Sequence, residues 1–313
     1  MDISLIREAG KRINGYVKRT PLERSESLTR YLGTNVFVKY ELFQKTGAFK
    51  VRGAFNKMLS LTGEEISRGV VAVSGGNHAQ AVAYAASVLS IDAVIVMPET
   101  TPSIYVEATC GYGATVDLRP SIAEAFAEIK RYESEGMVFV HPFDDLLVMA
   151  GQGTVGLEIM DDVPDATDVI VSIGGGGLAA GVATAIKGVN PKVKIWGVET
   201  VGADAMSQAL DAGRPVELAA ITSIAKTLGA PAVSDATLEI AQKHLESVTV
   251  VTDAEAVEAM VFILERLKVI TEPAASCTLA AAVRLKESFN ADSKLVLVLC
   301  GGNTGAKDLC GYL

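Results

Sequence analysis

The chain has 313 residues, of which 49% are hydrophobic and 21% are charged, and its formal net charge is −9. This length and apolar content are sufficient for two domains with large cores. No stretch of about 18 apolar residues free of charge occurs in the sequence, so no membrane-spanning helix is predicted. The acidic balance and the scattered lysines and arginines argue against nucleic-acid binding, which requires a basic patch.

Residues 1–13 show the pattern of an amphipathic helix and lack the features of a signal peptide, so we expect a cytoplasmic protein. The sequence has three histidines, which are far apart, and four cysteines, none of which forms a CxxC pair. Neither a disulfide framework nor a zinc site is therefore predicted. The cysteines are Cys110, Cys277, Cys300 and Cys310.

Predicted strands alternate with predicted helices along most of the chain, which indicates α/β layers around parallel sheets. The predicted strands are residues 34–40, 70–74, 92–97, 114–118, 137–141, 168–173, 194–199 and 294–300. The predicted helices after the N-terminal one start near 48 or cover 77–89, 103–111, 121–135, 150–160, a segment from 178, 253–267, 274–287 and a short segment after 305. The pattern predicts a small domain of residues 69–146, inserted into a larger domain of residues 1–68 and 147–313.

The run GGGG at 174–177 lies between a predicted strand and a predicted helix. Glycines let a ligand approach the backbone, and the helix N-terminus favours an anion, so a phosphate site is expected. The absence of a following GK[ST] excludes a Walker A loop. A dinucleotide-binding unit stays open as an alternative, because Glu199 lies about 20 residues further on, and this would indicate a nicotinamide-dependent oxidoreductase.

Three other motifs are candidates for chemistry. Lys50 lies in TGAFKVRG, where removal from water would produce a nucleophilic amine, although a surface lysine is the plain alternative. The turn SGGNHAQ begins at Ser74 and follows a predicted strand, so that it can bind an anion or simply cap the next helix. Cys300 ends an apolar strand and is either a site residue or a buried structural thiol. Because ligands in open α/β sheets bind at the carboxyl ends of strands, one shared crevice is expected.

Taken together and in this order, the four motifs resemble those of the fold-type II pyridoxal-phosphate enzymes, the tryptophan synthase β-like group, and in particular the threonine/serine dehydratases and serine racemases. TPL at 20–22, HPFDD at 141–145, AGQGT at 150–154 and EPAAS at 272–276 fit the same group. The resemblance implies an α/β fold of two three-layer parallel-sheet domains, with pyridoxal 5'-phosphate in the cleft between them. It also implies a homodimer or homotetramer.

Carried over by motif, the resemblance implies that Lys50 holds the cofactor and acts as the base at the substrate's α carbon. The other implied cofactor-binding residues are Phe49 beside the ring, Asn77 at its 3-oxygen, Gly174, Gly175, Gly176, Gly177 and Leu178 around the phosphate, and Cys300 at the ring nitrogen. The residues implied for the substrate carboxylate are Ser74, Gly75, Gly76, Asn77 and His78, through their backbone amides.

The activity that the resemblance implies is that of a threonine/serine ammonia-lyase, which removes water and then ammonia from a β-hydroxy amino acid to give a 2-oxo acid. An ammonia-lyase for phenylserine or 3-hydroxyaspartate, or a serine racemase, is the alternative. Two departures favour the dehydratase: Gly75 stands where racemases carry a serine acid/base, and Phe143 where they carry asparagine. A third, Ala48, stands where relatives often carry serine.

Relatives in this group bind a divalent cation through a glutamate, a backbone carbonyl and an aspartate. The sequence supplies Glu199 and the Ala203 carbonyl, but Ala205 stands at the aspartate position, with Asp204 beside it. Whether a divalent or monovalent cation binds is left open by the sequence.

Overall fold

The computed structural model describes residues 1–312, which form two β-sheets surrounded by helices. The strands are β1 (Leu22–Arg24), β2 (Asn35–Tyr40), β3 (Val70–Val73), β4 (Ala93–Pro98), β5 (Thr115–Arg119), β6 (Val138–Phe139), β7 (Asp168–Ser172), β8 (Lys194–Thr200), β9 (Leu245–Val251) and β10 (Lys294–Leu299). The helices up to the end of the small sheet are α1 (Ile3–Arg12), α2 (Glu26–Leu32), α3 (Val51–Met58), α4 (Gly63–Arg68), α5 (Asn77–Leu89), α6 (Ser103–Gly111) and α7 (Ile122–Ser134). The later helices are α8 (Leu146–Asp162), α9 (Gly177–Val189), α10 (Ala205–Ala212), α11 (Asp235–His244), α12 (Asp253–Leu267), α13 (Pro273–Arg284) and α14 (Ala306–Tyr312). Short 3-10 helices cover Glu41–Phe43, Lys45–Gly47, Lys226–Leu228 and Lys286–Ser288.

The larger sheet has six strands in the order β1-β2-β10-β7-β8-β9, and all its neighbours are parallel except β1 and β2. Because β2, β10 and β7 are adjacent and parallel, their carboxyl ends lie at one edge of the sheet. The chain leaves these ends toward Lys50, Cys300 and Gly174, respectively. The topology therefore brings three of the four sequence motifs to one edge.

Alternate residues of the central strands point to opposite faces of this sheet, and helices cover both faces. Val169 and Val171 of β7 belong to a core cluster shared with α8, α9 and α11. Ile170, between them, belongs to a second cluster shared with α2, α12 and α13. Near-continuous apolar strands are typical of parallel sheets that are buried on both sides.

The smaller sheet has four parallel strands in the order β5-β4-β3-β6. Its central strand β3 is buried along its whole length, with α5 packed on one face and α7 on the other. The chain leaves β3 at Ser74 and β6 just before His141, again at carboxyl strand ends. The predicted α/β class, with two parallel-sheet three-layer units, is thus confirmed.

The observed elements follow the predicted ones closely along the apolar strands, and the differences have local causes. The helix predicted at 150–160 already begins at Leu146, because the carboxylate of Asp145 accepts hydrogen bonds from the Leu147 and Val148 amides. All strands of the smaller sheet fall within residues 69–146, while the division of the chain into domains stays a prediction. None of the helices in the described part of the chain has the length and apolar character needed to cross a membrane.

Candidate active site

Lys50 immediately precedes α3 and lies where the two sheets face each other. The amide of Phe49 donates to the carbonyl of Cys300 at 3.1 Å, which fixes the segment against the end of β10. The Nζ atom of Lys50 donates to the carbonyl of Pro142, from the smaller sheet's side, at 2.7 Å. Lys50 therefore bridges the two parts of the molecule.

The environment of Lys50 favours its neutral form. Burial of the ammonium lowers the pKa of Lys50 from 10.5 to about 8, while the neighbouring Cys300 opposes this change. The Phe49 ring, whose centre lies 5.2 Å from the Nζ atom, also favours the charged form and so opposes this change. This environment is not that of an ordinary surface lysine, and it makes the amine suited to act as a base or nucleophile near neutral pH.

The turn Gly174–Gly177 joins β7 to α9, as expected for a phosphate site. Gly176 has φ +92°, a conformation that side-chain-bearing residues rarely adopt, and no side chain caps the N-terminus of α9. The ring of Phe143 lies against this turn, so that a Cβ atom at Gly175 would overlap the ring and one at Gly177 would lie 3.0 Å from the Phe143 Cα atom. Glycine is thus required sterically, and the first amides of α9 are left for an anion.

The turn at residues 74–78 provides a second uncapped helix start, that of α5. The Ser74 amide donates to Val96, and the Ser74 hydroxyl accepts from the Gly76 amide at 3.1 Å, so these two amides already have acceptors. Neither Ser74 nor Asn77 caps α5, which removes the plain capping interpretation. The amides of Gly75, Asn77 and His78 are the ones that remain to bind a carboxylate.

The side chain of His78 is oriented away from such a role. Its Nε2 atom is hydrogen-bonded to the carbonyl of Val140 at 2.8 Å, and burial lowers the pKa of His78 to about 3. The imidazole is therefore neutral at physiological pH, and His78 contributes to the turn through its backbone.

Cys300 is buried at the end of β10, with its Sγ atom 3.8 Å from the carbonyl of Ala274. Burial, followed by the nearby Glu272, raises the pKa of the Cys300 thiol well above its usual range. The group is a neutral thiol, as a partner for an unprotonated ring nitrogen should be.

Asn77 belongs to a hydrogen-bond network that sequence reasoning missed. Its Nδ2 atom lies 2.8 and 3.0 Å from the two carboxylate oxygens of Glu272, and its Oδ1 atom accepts from Asn303. The hydroxyl of Thr227 donates to the same carboxylate at 2.6 Å. The motif EPAAS contains Glu272, but only its three-dimensional contacts assign it to the site.

The residues predicted to bind a cation lie at the end of β8, behind the glycine turn. Each carboxylate oxygen of Glu199 accepts a hydrogen bond from a backbone amide, one from Met206 and one from Ser207, both at 2.8 Å. Burial raises the pKa of Glu199 to about 8, which these two amides oppose. Within residues 1–312 no group of three or more His, Cys, Asp or Glu side chains is placed to hold a metal ion. With both Glu199 oxygens accepting amide hydrogens and alanine at position 205, this donor set does not fit a cation.

The predicted cofactor residues do fit pyridoxal phosphate. A poorly solvated amine, an uncapped helix behind a glycine turn, a neutral thiol and an oriented amide all lie in segments that follow the carboxyl ends of strands from the two sheets. The contacts described above link these segments in pairs: Phe49 to Cys300, Lys50 to Pro142, Asn77 to Asn303 after β10, and Phe143 to the glycine turn.

Comparison with known proteins agrees with this fit. Residues 13–301 match the model of the family described as "Pyridoxal-phosphate dependent enzyme". An L-threonine ammonia-lyase from Thermotoga maritima is 42% identical over 95% of this chain and 74% of its own length. A catabolic L-threonine dehydratase from Staphylococcus aureus is 40% identical over 98% of this chain and 90% of its own length. The structure of maize serine racemase has a TM-score of 0.95 and 40% identity, and covers 99% of this chain and 96% of the other. The nicotinamide alternative is thereby set aside: the chain belongs to the family of pyridoxal-phosphate dependent enzymes.

Proposed function

We propose that the protein is a threonine/serine ammonia-lyase, which converts a β-hydroxy amino acid to a 2-oxo acid and ammonia. The observation that carries the proposal is the amine of Lys50, whose pKa is lowered to about 8 and which donates to the Pro142 carbonyl, next to the Phe143 ring that lies against the glycine turn. The uncapped starts of α9 and α5 support the assignment of two anion sites. The names of the relatives at 40–42% identity support threonine as the substrate.

When bound, pyridoxal phosphate supplies an electron-withdrawing ring that stabilises negative charge at the substrate's α carbon. The phosphate is assigned to Gly174–Gly177 and Leu178, whose amides lie at the start of α9. Of the other residues, Phe49 would contact the ring, Asn77 is assigned to the 3-oxygen, and Cys300 is assigned to the ring nitrogen.

The substrate carboxylate is assigned to the turn before α5. Its free amides can hold the carboxylate without a buried cation, as helix N-termini do. In its neutral form, the Lys50 amine then takes the proton from the α carbon, because a base with a pKa of about 8 is partly unprotonated at neutral pH. Because the Cys300 thiol keeps its proton, it would leave the ring nitrogen unprotonated, which would favour loss of the β-hydroxyl over other outcomes.

Steady-state kinetics with threonine, serine, phenylserine and 3-hydroxyaspartate test the proposal. We expect 2-oxo acid from threonine and serine, together with an absorption band at roughly 410–420 nm in protein supplied with the cofactor. Lys50→Ala should lose both, whereas the matched change of an exposed lysine, Lys192→Ala, should lose neither. No 2-oxo acid from any of the four substrates, or a band that persists in Lys50→Ala, would refute the assignment.

The similarity to maize serine racemase makes racemisation the second candidate. Gly75 speaks against it, because glycine has no side-chain group that could return a proton to the opposite face of the α carbon, and a Cβ atom there would lie 2.6 Å from the Thr101 hydroxyl oxygen. A serine at this position would require Thr101 to move. Chiral analysis of residual L-serine should show D-serine forming much more slowly than pyruvate; equal rates would favour the racemase.

A further inference from the structure

Glu272 directly precedes α13, and only 3% of the surface of this residue is exposed. The residue occupies the N-cap position, yet its side chain makes no hydrogen bond to the amides of its own helix. Its backbone amide donates to the Gly301 carbonyl at 3.1 Å, which fixes it beside the end of β10. The carboxylate instead contacts segments that follow β3 and β10, and the partial positive charge at the start of α13 reduces the cost of burying it.

Every donor to this carboxylate is a neutral group from another part of the chain. Asn77 comes from the turn after β3, Asn303 donates its amide from the loop after β10 at 2.9 Å, and Thr227 comes from the short helix Lys226–Leu228. A buried carboxylate with several hydrogen bonds and no other task is costly to retain. Its position at the junction of three segments suggests that it orders them.

The network fixes the Asn77 amide in one orientation. A carboxylate only accepts hydrogen bonds, so Nδ2 of Asn77 must face Glu272. At the other end, Nδ2 of Asn303 donates to Oδ1 of Asn77 and to the carbonyl of Thr46, each at 2.7 Å. A flipped Asn77 amide would place oxygen against carboxylate and nitrogen against nitrogen, which removes both contacts.

Thr227 connects Glu272 to the turn that is assigned to the substrate carboxylate. Its hydroxyl is held by Glu272, and its methyl carbon lies 3.4 Å from the position of a Cβ atom on Gly76. The backbone of Leu228, the next residue, lies 3.0 Å from the corresponding position on Gly174. The segment held by Glu272 thus lies between the two turns that are assigned to the carboxylate and the phosphate.

We infer that Glu272 is a positioning residue for the proposed reaction, and this inference rests on the proposed function. Its carboxylate holds the Asn77 amide with a fixed donor direction and keeps Thr227 against the carboxylate-binding turn. Glu272 itself touches neither reacting atom and acts through these two side chains.

The first test combines Glu272→Gln with Asn77→Ala in a double-mutant cycle. A glutamine turns one of its acceptor oxygens into a donor and so leaves one partner without an acceptor. We expect Glu272→Gln to lower kcat/KM and to raise the dissociation constant of pyridoxal phosphate, each by about tenfold or more, as for hydrogen bonds to charged groups. In the Asn77→Ala background the same change should have a clearly smaller effect, because the part that acts through Asn77 is already lost and only the part that acts through Thr227 remains. Glu272→Asp, which keeps the charge, should recover part of the loss.

Asp168→Asn is the matched control, since Asp168 is also a buried carboxylate. It lies at the opposite end of β7 from the glycine turn and accepts from Trp196 Nε1 at 2.8 Å and Thr167 Oγ1 at 2.7 Å. Both changes should lower the unfolding temperature of the cofactor-free protein, but only Glu272→Gln should weaken cofactor binding. Equal weakening by both variants, or losses that simply add across the cycle, would overturn the positioning role. A wild-type protein without the visible band would refute the proposed function as well, which separates the two failures.

Discussion

The lowered pKa of Lys50 can be measured directly in the cofactor-free protein by varying the pH of an amine-labelling reaction. A pKa of about 8 instead of 10.5 raises the neutral fraction at pH 7 from about 0.03% to about 9%, a gain of roughly 300-fold. The cause is burial of the ammonium beside a neutral carbonyl, that of Pro142. The chemistry proposed for Lys50 depends on this neutral fraction.

Labelling with a small amine-reactive reagent, read by mass spectrometry of the Lys50 peptide, gives the pH midpoint of its reaction. We expect a midpoint near 8 in the folded protein and near 10.4 in the same protein unfolded in urea. Midpoints are compared rather than rates, because burial also slows access of the reagent. Because the pKa of Lys50 is lower in the folded protein, the unfolded chain binds more protons between these two pH values. The free energy of unfolding should therefore rise with pH in this range. Equal midpoints in the folded and unfolded protein would refute the burial argument.

Three further changes test other parts of the site. Gly175→Ala should raise the cofactor's dissociation constant at least tenfold, because the added methyl group overlaps the ring of Phe143. The control Gly63→Ala places its methyl group in open space and should leave this constant unchanged, and equal constants for the two variants would contradict the steric argument. Gly75→Ala should lower kcat/KM about tenfold by displacing the Thr101 hydroxyl, and adding Thr101→Ala should restore most of it; no restoration would exclude this contact as the cause. A chelator should leave the unfolding temperature unchanged, since the Glu199 oxygens already have donors, and a rise in that temperature with added Mg²⁺ would show otherwise.

The sequence allowed the strands and the glycine turn to be predicted because both depend on local features. Apolar runs such as residues 168–172 form buried parallel strands where helices cover both faces of the sheet. The four glycines that follow form the turn into α9 through their own backbone conformation. The strand β9 was missed: its residues LESVTVV are half exposed and pair only with β8, so their pattern is not that of a central strand.

The parts of the site that depend on distant residues could not be predicted in the same way. Glu272 lies 195 positions from Asn77, and no spacing rule connects them. The hydrogen bond from the Gly76 amide to the Ser74 hydroxyl depends on the folded conformation of the turn. The position of Thr101 beside Gly75 depends on it as well, and neither contact can be derived from the sequence of the turn. The sequence motifs therefore predict which residues form the site, whereas the directions of their hydrogen bonds are seen only in the structure.

The contrast between Lys50 and Arg52, two residues apart, shows how neighbours decide the chemistry of a buried cation. Arg52 is fully buried; burial alone would lower its pKa, but bidentate contacts with Glu41 and Glu158 more than offset this and raise it. Lys39 also pairs with Glu158, at 2.5 Å, so the cluster holds two charges of each sign. Removing one partner of such a cluster typically costs about 3–5 kcal/mol, so this cluster anchors the first turn of α3. Lys50, just before that turn, donates instead to an uncharged carbonyl, and its pKa falls. The same segment therefore carries a permanently charged anchor and, beside it, an amine that can lose its proton.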